Sequence, residues 1–116
     1  MELKTFYAAV GGDHAAVLSR LPGEALVRRF LHKFLADPAY NELKAALTAE
    51  DLPTAFRAAH TIKGTAANLG LDTLAAAASE LTEALRGASA MPPQNLVDAV
   101  DAAYRTAAQQ IGRLDD

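Results

Sequence analysis

Apolar residues recur three and four positions apart along almost the whole chain, which matches the 3.6 residues per turn of an α-helix. Alanine and leucine are abundant and β-branched residues are sparse, a composition that favours helices over strands. Glycine and proline interrupt the pattern at Gly11-Gly12, Pro22-Gly23 and Pro92-Pro93. We therefore predict an all-α protein without strands.

The pattern divides into four long helices and several short ones. The long helices are predicted over residues 24–36, 51–69, 72–86 and 94–114. Short helices are expected at the N-terminus, over 3–10 and 14–21, and near residues 39–48. Because the connections between the long helices are short, we expect an antiparallel four-helix bundle to which the short helices are added.

The size and composition of the chain limit its class. Its 116 residues suit one domain, so we expect a single domain over 1–116. No apolar run approaches the roughly 20 residues of a membrane span, and the N-terminus does not resemble a signal peptide. The net charge of −3 argues against nucleic-acid binding, and the absence of cysteine excludes thiolate chemistry. We expect a monomeric, cytoplasmic protein that binds neither nucleic acid nor membranes.

One predicted helix, over 51–69, carries a histidine on the side opposite its apolar stripe. At about 100° per residue, Lys63 and Arg57 lie about 60° to either side of His60, and Gly64 lies beside His60 one turn later. The apolar side of the helix is predicted to consist of Leu52, Ala55, Ala59, Ile62, Ala66 and Leu69. His60 lies roughly opposite Ile62, Ala66 and Leu69, so it faces solvent if those three face the core.

These residue types suit phosphoryl transfer. Imidazole titrates near pH 6.5 unperturbed, so an exposed ring is largely neutral and nucleophilic near pH 7. Lys63 can pair with a phosphoryl group on His60. Gly64 costs the helix about 1 kcal/mol relative to alanine, and we interpret it as clearance for a second protein that approaches the histidine.

The run from Phe56 to Gly70 resembles the phosphorylation helix of histidine-containing phosphotransfer domains. The resemblance implies a helical bundle in a two-component phosphorelay, whose histidine carries a phosphoryl group between the aspartates of response-regulator receiver domains. By position, His60 would be phosphorylated, Lys63 would stabilise the phosphate and Gly64 would give clearance. The expected partner-binding residues are Phe56, Arg57, Thr61, Ala67 and Asn68.

The resemblance also implies partners and a cofactor on one of them. We expect receiver domains and a sensor or hybrid histidine kinase to be the partners. The chain itself is expected to need no cofactor and no metal, because Mg²⁺ would be held by the receiver domain. Since it contains no phosphate-binding glycine-rich loop, we expect a phosphoryl carrier and not a kinase.

Other interpretations remain open at this point. A helical adaptor could bind and inhibit a receiver or kinase without carrying phosphate, and a purely structural bundle would leave Gly64 unexplained. His32 is expected at the surface and His14 at the start of a helix. Glu80, Glu83 and Arg86 are expected to form a solvated face on the next helix.

Overall fold

The computed structural model describes residues 1–114. Within these residues the chain contains helices and no strand, so the predicted all-α class is confirmed. The predicted domain boundary at residue 116 lies outside the described residues. The helices are α1 (Leu3–Ala9), α2 (His14–Arg20), α3 (Glu24–Ala36), α4 (Ala39–Thr48), α5 (Leu52–Asn68), α6 (Asp72–Leu85) and α7 (Gln94–Ile111).

Helix α5 begins where the sequence predicts a cap. The Asp51 carboxylate accepts a hydrogen bond from the backbone N–H of Thr54 at 3.2 Å, and Pro53 occupies the first turn. The helix packs most extensively against α6 and next against α4. Its core side is built largely of alanines, including the fully buried Ala55 and Ala59, whose small side chains permit this close approach.

The turn between α5 and α6 depends on Gly70. This residue adopts φ +76°, a left-handed conformation that favours glycine after a helix. A Cβ there would also collide with Val17, because α2 packs directly on the turn. The Tyr7 hydroxyl donates a hydrogen bond of 2.7 Å to the Leu69 carbonyl. Helices α1 and α2 therefore hold the end of α5 in place.

The remaining helix ends follow local chemistry. Helix α3 has the predicted bounds, and the Asp37 carboxylate accepts from the backbone N–H of Ala39 at 2.8 Å where α4 begins. Helix α7 ends at Ile111 and not at the predicted Leu114, because Gly112 is a poor helix former. Leu114 is nevertheless buried.

A polar cluster joins α4 to α7. The Asp101 carboxylate accepts hydrogen bonds of 2.7 Å from both the Tyr40 hydroxyl and the Lys44 ammonium group. The Tyr40 ring stacks on Tyr104 at a centroid distance of 3.8 Å. This cluster therefore ties α4 to α7.

In the part of the chain that the structure describes, no helix is both long enough and apolar enough to cross a membrane.

Candidate functional site

His60 lies on the solvent side of α5. The residue is exposed, whereas Ile62, Ala66 and Leu69 are 2%, 0% and 4% exposed. The predicted division of the helix into an apolar stripe and an exposed histidine is therefore confirmed.

The imidazole of His60 belongs to a short stack that joins α5 to α6. Its ring is nearly parallel to the Phe56 ring, with centroids 6.1 Å apart and an interplanar angle of 9°. The Arg86 guanidinium lies over the same Phe56 ring at 5.1 Å from its centroid, in cation–π contact. The half-buried phenyl ring of Phe56 therefore contacts both the imidazole of His60 and the guanidinium of Arg86.

Glu83 adds a carboxylate to this side of the site. Arg86 donates two hydrogen bonds to it, from Nε at 3.2 Å and from Nη2 at 2.9 Å. The pKa of the Glu83 carboxyl is held below its usual range by these bonds and the Arg86 charge, and further by nearby Lys63 and His60. Glu83 therefore lies within electrostatic range of both predicted reaction residues.

Lys63 and Gly64 follow His60 on the next turn of α5, and they differ in exposure. Lys63 is half-buried, and among residues 1–114 it forms no ion pair. Gly64 is exposed, and a Cβ built on it would meet no atom within 4 Å apart from its two chain neighbours and the adjoining backbone of α5. Packing among residues 1–114 therefore does not require glycine at position 64.

Two of the expected partner-binding residues lie on the other side of the histidine. Arg57 is exposed, and its guanidinium donates a hydrogen bond of 3.1 Å to the Thr54 hydroxyl. Thr61 is exposed, and its hydroxyl donates to the Arg57 carbonyl at 3.0 Å. The guanidinium of Arg57 thus extends toward the start of α5.

The last two expected residues, Ala67 and Asn68, form the exposed end of α5. Their carbonyl groups each accept a hydrogen bond of 3.3 Å from Nη2 of Arg20 on α2. A cation at this position satisfies C-terminal carbonyl groups and interacts favourably with the helix dipole.

The other histidines have different surroundings. His14 is the first residue of α2, as predicted; it stacks on Tyr7 at 6.0 Å, and its Nε2 lies 3.6 Å from a Glu24 carboxylate oxygen. The expectation of a surface position for His32 is wrong, because this residue is half-buried on α3, which packs against both α2 and α7.

The sequence reasoning missed the contribution of α6. The pairing of Glu83 with Arg86 is confirmed, but the sequence interpretation assigned the pair to a solvated face without a link to His60. The sequence feature that could have indicated this link is the turn at Gly70, between the helix of His60 and the helix of Glu83. In an antiparallel pair, a residue about ten positions before the turn lies across from residues about ten or more positions after it.

The family model for the Hpt domain matches residues 26–111, from the start of α3 to the end of α7. The chain belongs to the Hpt domain family. Hpt domains are phosphoryl carriers and not kinases, and they work with receiver domains and kinases in two-component phosphorelays. This Hpt domain therefore has a histidine phosphotransfer role in two-component signalling. No curated protein and no solved structure is significantly similar to it.

Within residues 1–114 the Hpt domain has no group of three or more His, Asp or Glu side chains that could hold a metal ion.

Proposed function

We propose that His60 carries a phosphoryl group between the aspartates of receiver domains. The observation that carries this proposal is the combination, on one surface of α5, of an exposed imidazole, an ammonium group at Lys63 that has no ion-pair partner among residues 1–114, and open space at Gly64. A nucleophile, a cation and access for a partner are what phosphoryl transfer to a protein side chain requires.

The reaction is a displacement at phosphorus. The unprotonated ring nitrogen of His60 attacks the phosphorus of an aspartyl phosphate on the receiver domain. A P–N bond forms as the P–O bond breaks, and the aspartate carboxylate leaves with the electron pair of that bond. The other ring nitrogen keeps its hydrogen, and reversal with a second receiver returns the group to an aspartate.

Two cations of this chain support the transfer. Lys63 follows His60 by about one turn and can donate a hydrogen bond to a phosphoryl oxygen. Arg86, the residue after α6, lies over Phe56, whose other face neighbour is the imidazole, and its guanidinium also pairs with Glu83. Mg²⁺ is expected on the receiver domain, and the absence of a cofactor in this chain remains a prediction.

The first experiment tests whether His60 is the acceptor. Incubation with receiver domains whose aspartates carry labelled phosphate should give an acid-labile, alkali-stable label on this protein. His60→Gln should lose the label, whereas the control variants His14→Gln and His32→Gln should retain it. Equal labelling of His60→Gln would exclude the proposed site.

The same experiment distinguishes the adaptor hypothesis. An adaptor that only binds and inhibits would bind receivers without acquiring a label, and His60→Gln would then leave its binding unchanged. No feature of the site favours that function over phosphoryl transfer.

A further inference from the structure

The imidazole of His60 lies against the ring of Phe56, a residue of its own helix. The two residues are four positions apart on α5, so their side chains share one face of the helix. The rings are nearly parallel, with an interplanar angle of 9° and centroids 6.1 Å apart. This spacing lies within the range of attractive offset stacking between aromatic rings. The stack therefore favours one orientation of an otherwise exposed imidazole.

The stack is important because no hydrogen bond fixes the orientation of the imidazole. A histidine that reacts or binds a metal is usually oriented by a hydrogen bond at one of its two nitrogens. Among residues 1–114, neither ring nitrogen of His60 makes one. The nearby Glu83 carboxylate accepts its side-chain hydrogen bonds from Arg86. Contact with Phe56 is therefore what orients the ring within the described residues.

The phenyl ring is itself held by the rest of the chain. It packs against the hydrophobic core and lines a shallow groove together with the buried Leu85. The Arg86 guanidinium lies over it at 5.1 Å from the centroid, and Glu83 in turn binds Arg86 through two hydrogen bonds. A half-buried ring with these neighbours has less freedom than an exposed imidazole, so Phe56 supports His60.

A stacked imidazole is still able to react. The electron pair of its unprotonated nitrogen lies in the plane of the ring, whereas the stack covers a face of the ring. That electron pair can therefore attack phosphorus while the contact with Phe56 is kept. Holding a nucleophile in a reactive orientation raises the rate, because rotational freedom is removed before the reaction.

We infer that Phe56 is a positioning residue for phosphoryl transfer, whose ring holds the imidazole of His60 in the orientation that attacks phosphorus. This inference rests on the proposed function and gives Phe56 a role that does not depend on contact with a partner. The attraction within an aromatic pair is enough to shift an equilibrium between orientations about two- to tenfold. The rate of transfer should depend on the stack by the same factor.

The test uses phosphoramidate, a donor too small to need a docking surface. Its P–N bond breaks and ammonia leaves with the electron pair of that bond, as a P–N bond to His60 forms. Phe56→Leu removes the aromatic ring but keeps an apolar side chain and a good helix former. Phe56→Tyr keeps the ring. The matched control is Phe30→Leu, at another half-buried phenylalanine, on α3.

Rates are compared at about pH 8.5, where unperturbed imidazole is neutral, so that protonation does not contribute. We expect Phe56→Leu to lower the rate constant for labelling of His60 about two- to tenfold, and Phe56→Tyr and Phe30→Leu to keep the parental rate. An equal or faster rate in Phe56→Leu would overturn the inference. Labelling of Phe56→Tyr as slow as that of Phe56→Leu would overturn it as well.

The proton NMR resonances of the imidazole report the stack directly. A proton over the face of an aromatic ring resonates upfield, so the His60 ring resonances should move downfield in Phe56→Leu and stay in place in Phe56→Tyr. His14, which stacks on Tyr7 with centroids 6.0 Å apart, is the internal reference that neither variant should change. Identical His60 resonances in Phe56→Leu and the parent protein would refute the stack.

Two donors separate this inference from the proposed function. Suppose that phosphoramidate labels Phe56→Leu at the parental rate, while the KM for a phosphorylated receiver rises in this variant. Phe56 is then only a contact of the partner, and the inference fails while the proposed function stands. If neither phosphoramidate nor any receiver labels His60 in the parent protein, the proposed function is refuted, and the inference with it.

Discussion

Lys63 has the most direct role among the side chains around His60 in the proposed reaction. It is half-buried beside the histidine, and within the described residues no carboxylate pairs with it. A phosphoryl group on His60 would therefore gain a cation that no carboxylate among residues 1–114 already pairs with.

Replacement of this lysine should separate chemistry from folding. We expect Lys63→Ala to slow transfer from a receiver about tenfold or more, because a hydrogen bond to a charged group is worth about 1.5–3 kcal/mol. The thermal midpoint should change little, since the ammonium group makes no ion pair in the part of the chain that the structure describes. Rapid-quench kinetics and the lifetime of the phosphohistidine measure the effect.

Lys4→Ala provides the control, because Lys4 is an exposed lysine on α1. Equal transfer rates and equal phosphohistidine lifetimes for Lys63→Ala and the parent protein would contradict the assigned role of Lys63.

The histidine itself shows how far single residues can be predicted. Its exposure follows from the angle between His60 and the buried stripe, which a helical wheel gives directly. The half-buried position of His32 could not be obtained in the same way, because it depends on which neighbouring helices cover α3.

At the scale of the helix, Gly64 is a local weakness in α5 that the fold does not need. The backbone there is helical, and a Cβ at this position would have no atom within 4 Å other than its two chain neighbours and the adjoining backbone of α5. The glycine therefore lowers stability without relieving any collision inside the chain.

Substitutions at this position should separate stability from docking. Gly64→Ala and Gly64→Leu should both raise the free energy of unfolding, by about 1 kcal/mol for alanine. The leucine variant should also weaken binding to receivers, because its side chain occupies the clearance beside His60. Urea denaturation measures the first effect and receiver titration measures the second. Receiver binding of the leucine variant at parental affinity would disprove the clearance role.

Helix boundaries were predictable where a residue dictates them locally. Gly23 and the Asp37-Pro38 step delimit α3, and Asp51 and Gly70 delimit α5, as the sequence indicated. The placement of Glu83 and Arg86 beside His60 depends on how α6 packs against α5, so a local pattern could not reveal it.

At the scale of the whole molecule, the N-terminal helices are part of the packed structure. The family model begins at residue 26, after α1 and α2. Nevertheless Leu3, Phe6 and Tyr7 are almost fully buried, and the Tyr7 hydroxyl bonds to the end of α5. These helices thus support the α5–α6 turn from outside the region that the family model matches.

Two tyrosines link the stability of the protein to alkaline pH. Burial raises the pKa of Tyr7 to about 12, and burial together with the Asp101 carboxylate raises that of Tyr40 to about 12. Above the unfolded value of 10.0, the folded state therefore holds more protons than the unfolded state. Their contribution is complete below pH 10 and is lost as pH rises toward 12.

We expect the free energy of unfolding to fall by on the order of 1–2 kcal/mol between about pH 9 and about pH 11. The double variant Tyr7→Phe/Tyr40→Phe should show a smaller dependence of the unfolding free energy on pH. Part of the dependence should remain, because burial also raises the pKa of Tyr104. Urea denaturation at each pH measures the slope. An equal slope in the double variant and the parent protein would contradict the assignment.

The central claim is that His60 passes the phosphoryl group onward, and a pulse–chase measurement tests it most directly. The protein is first labelled by one phosphorylated receiver, purified, and then mixed with a second, unlabelled receiver. The account predicts that label leaves the acid-labile pool on this chain and appears as alkali-labile aspartyl phosphate on the second receiver. It also predicts that His60→Gln transfers nothing. Label that stays on the chain, or that reaches the second receiver through His60→Gln, would contradict the account.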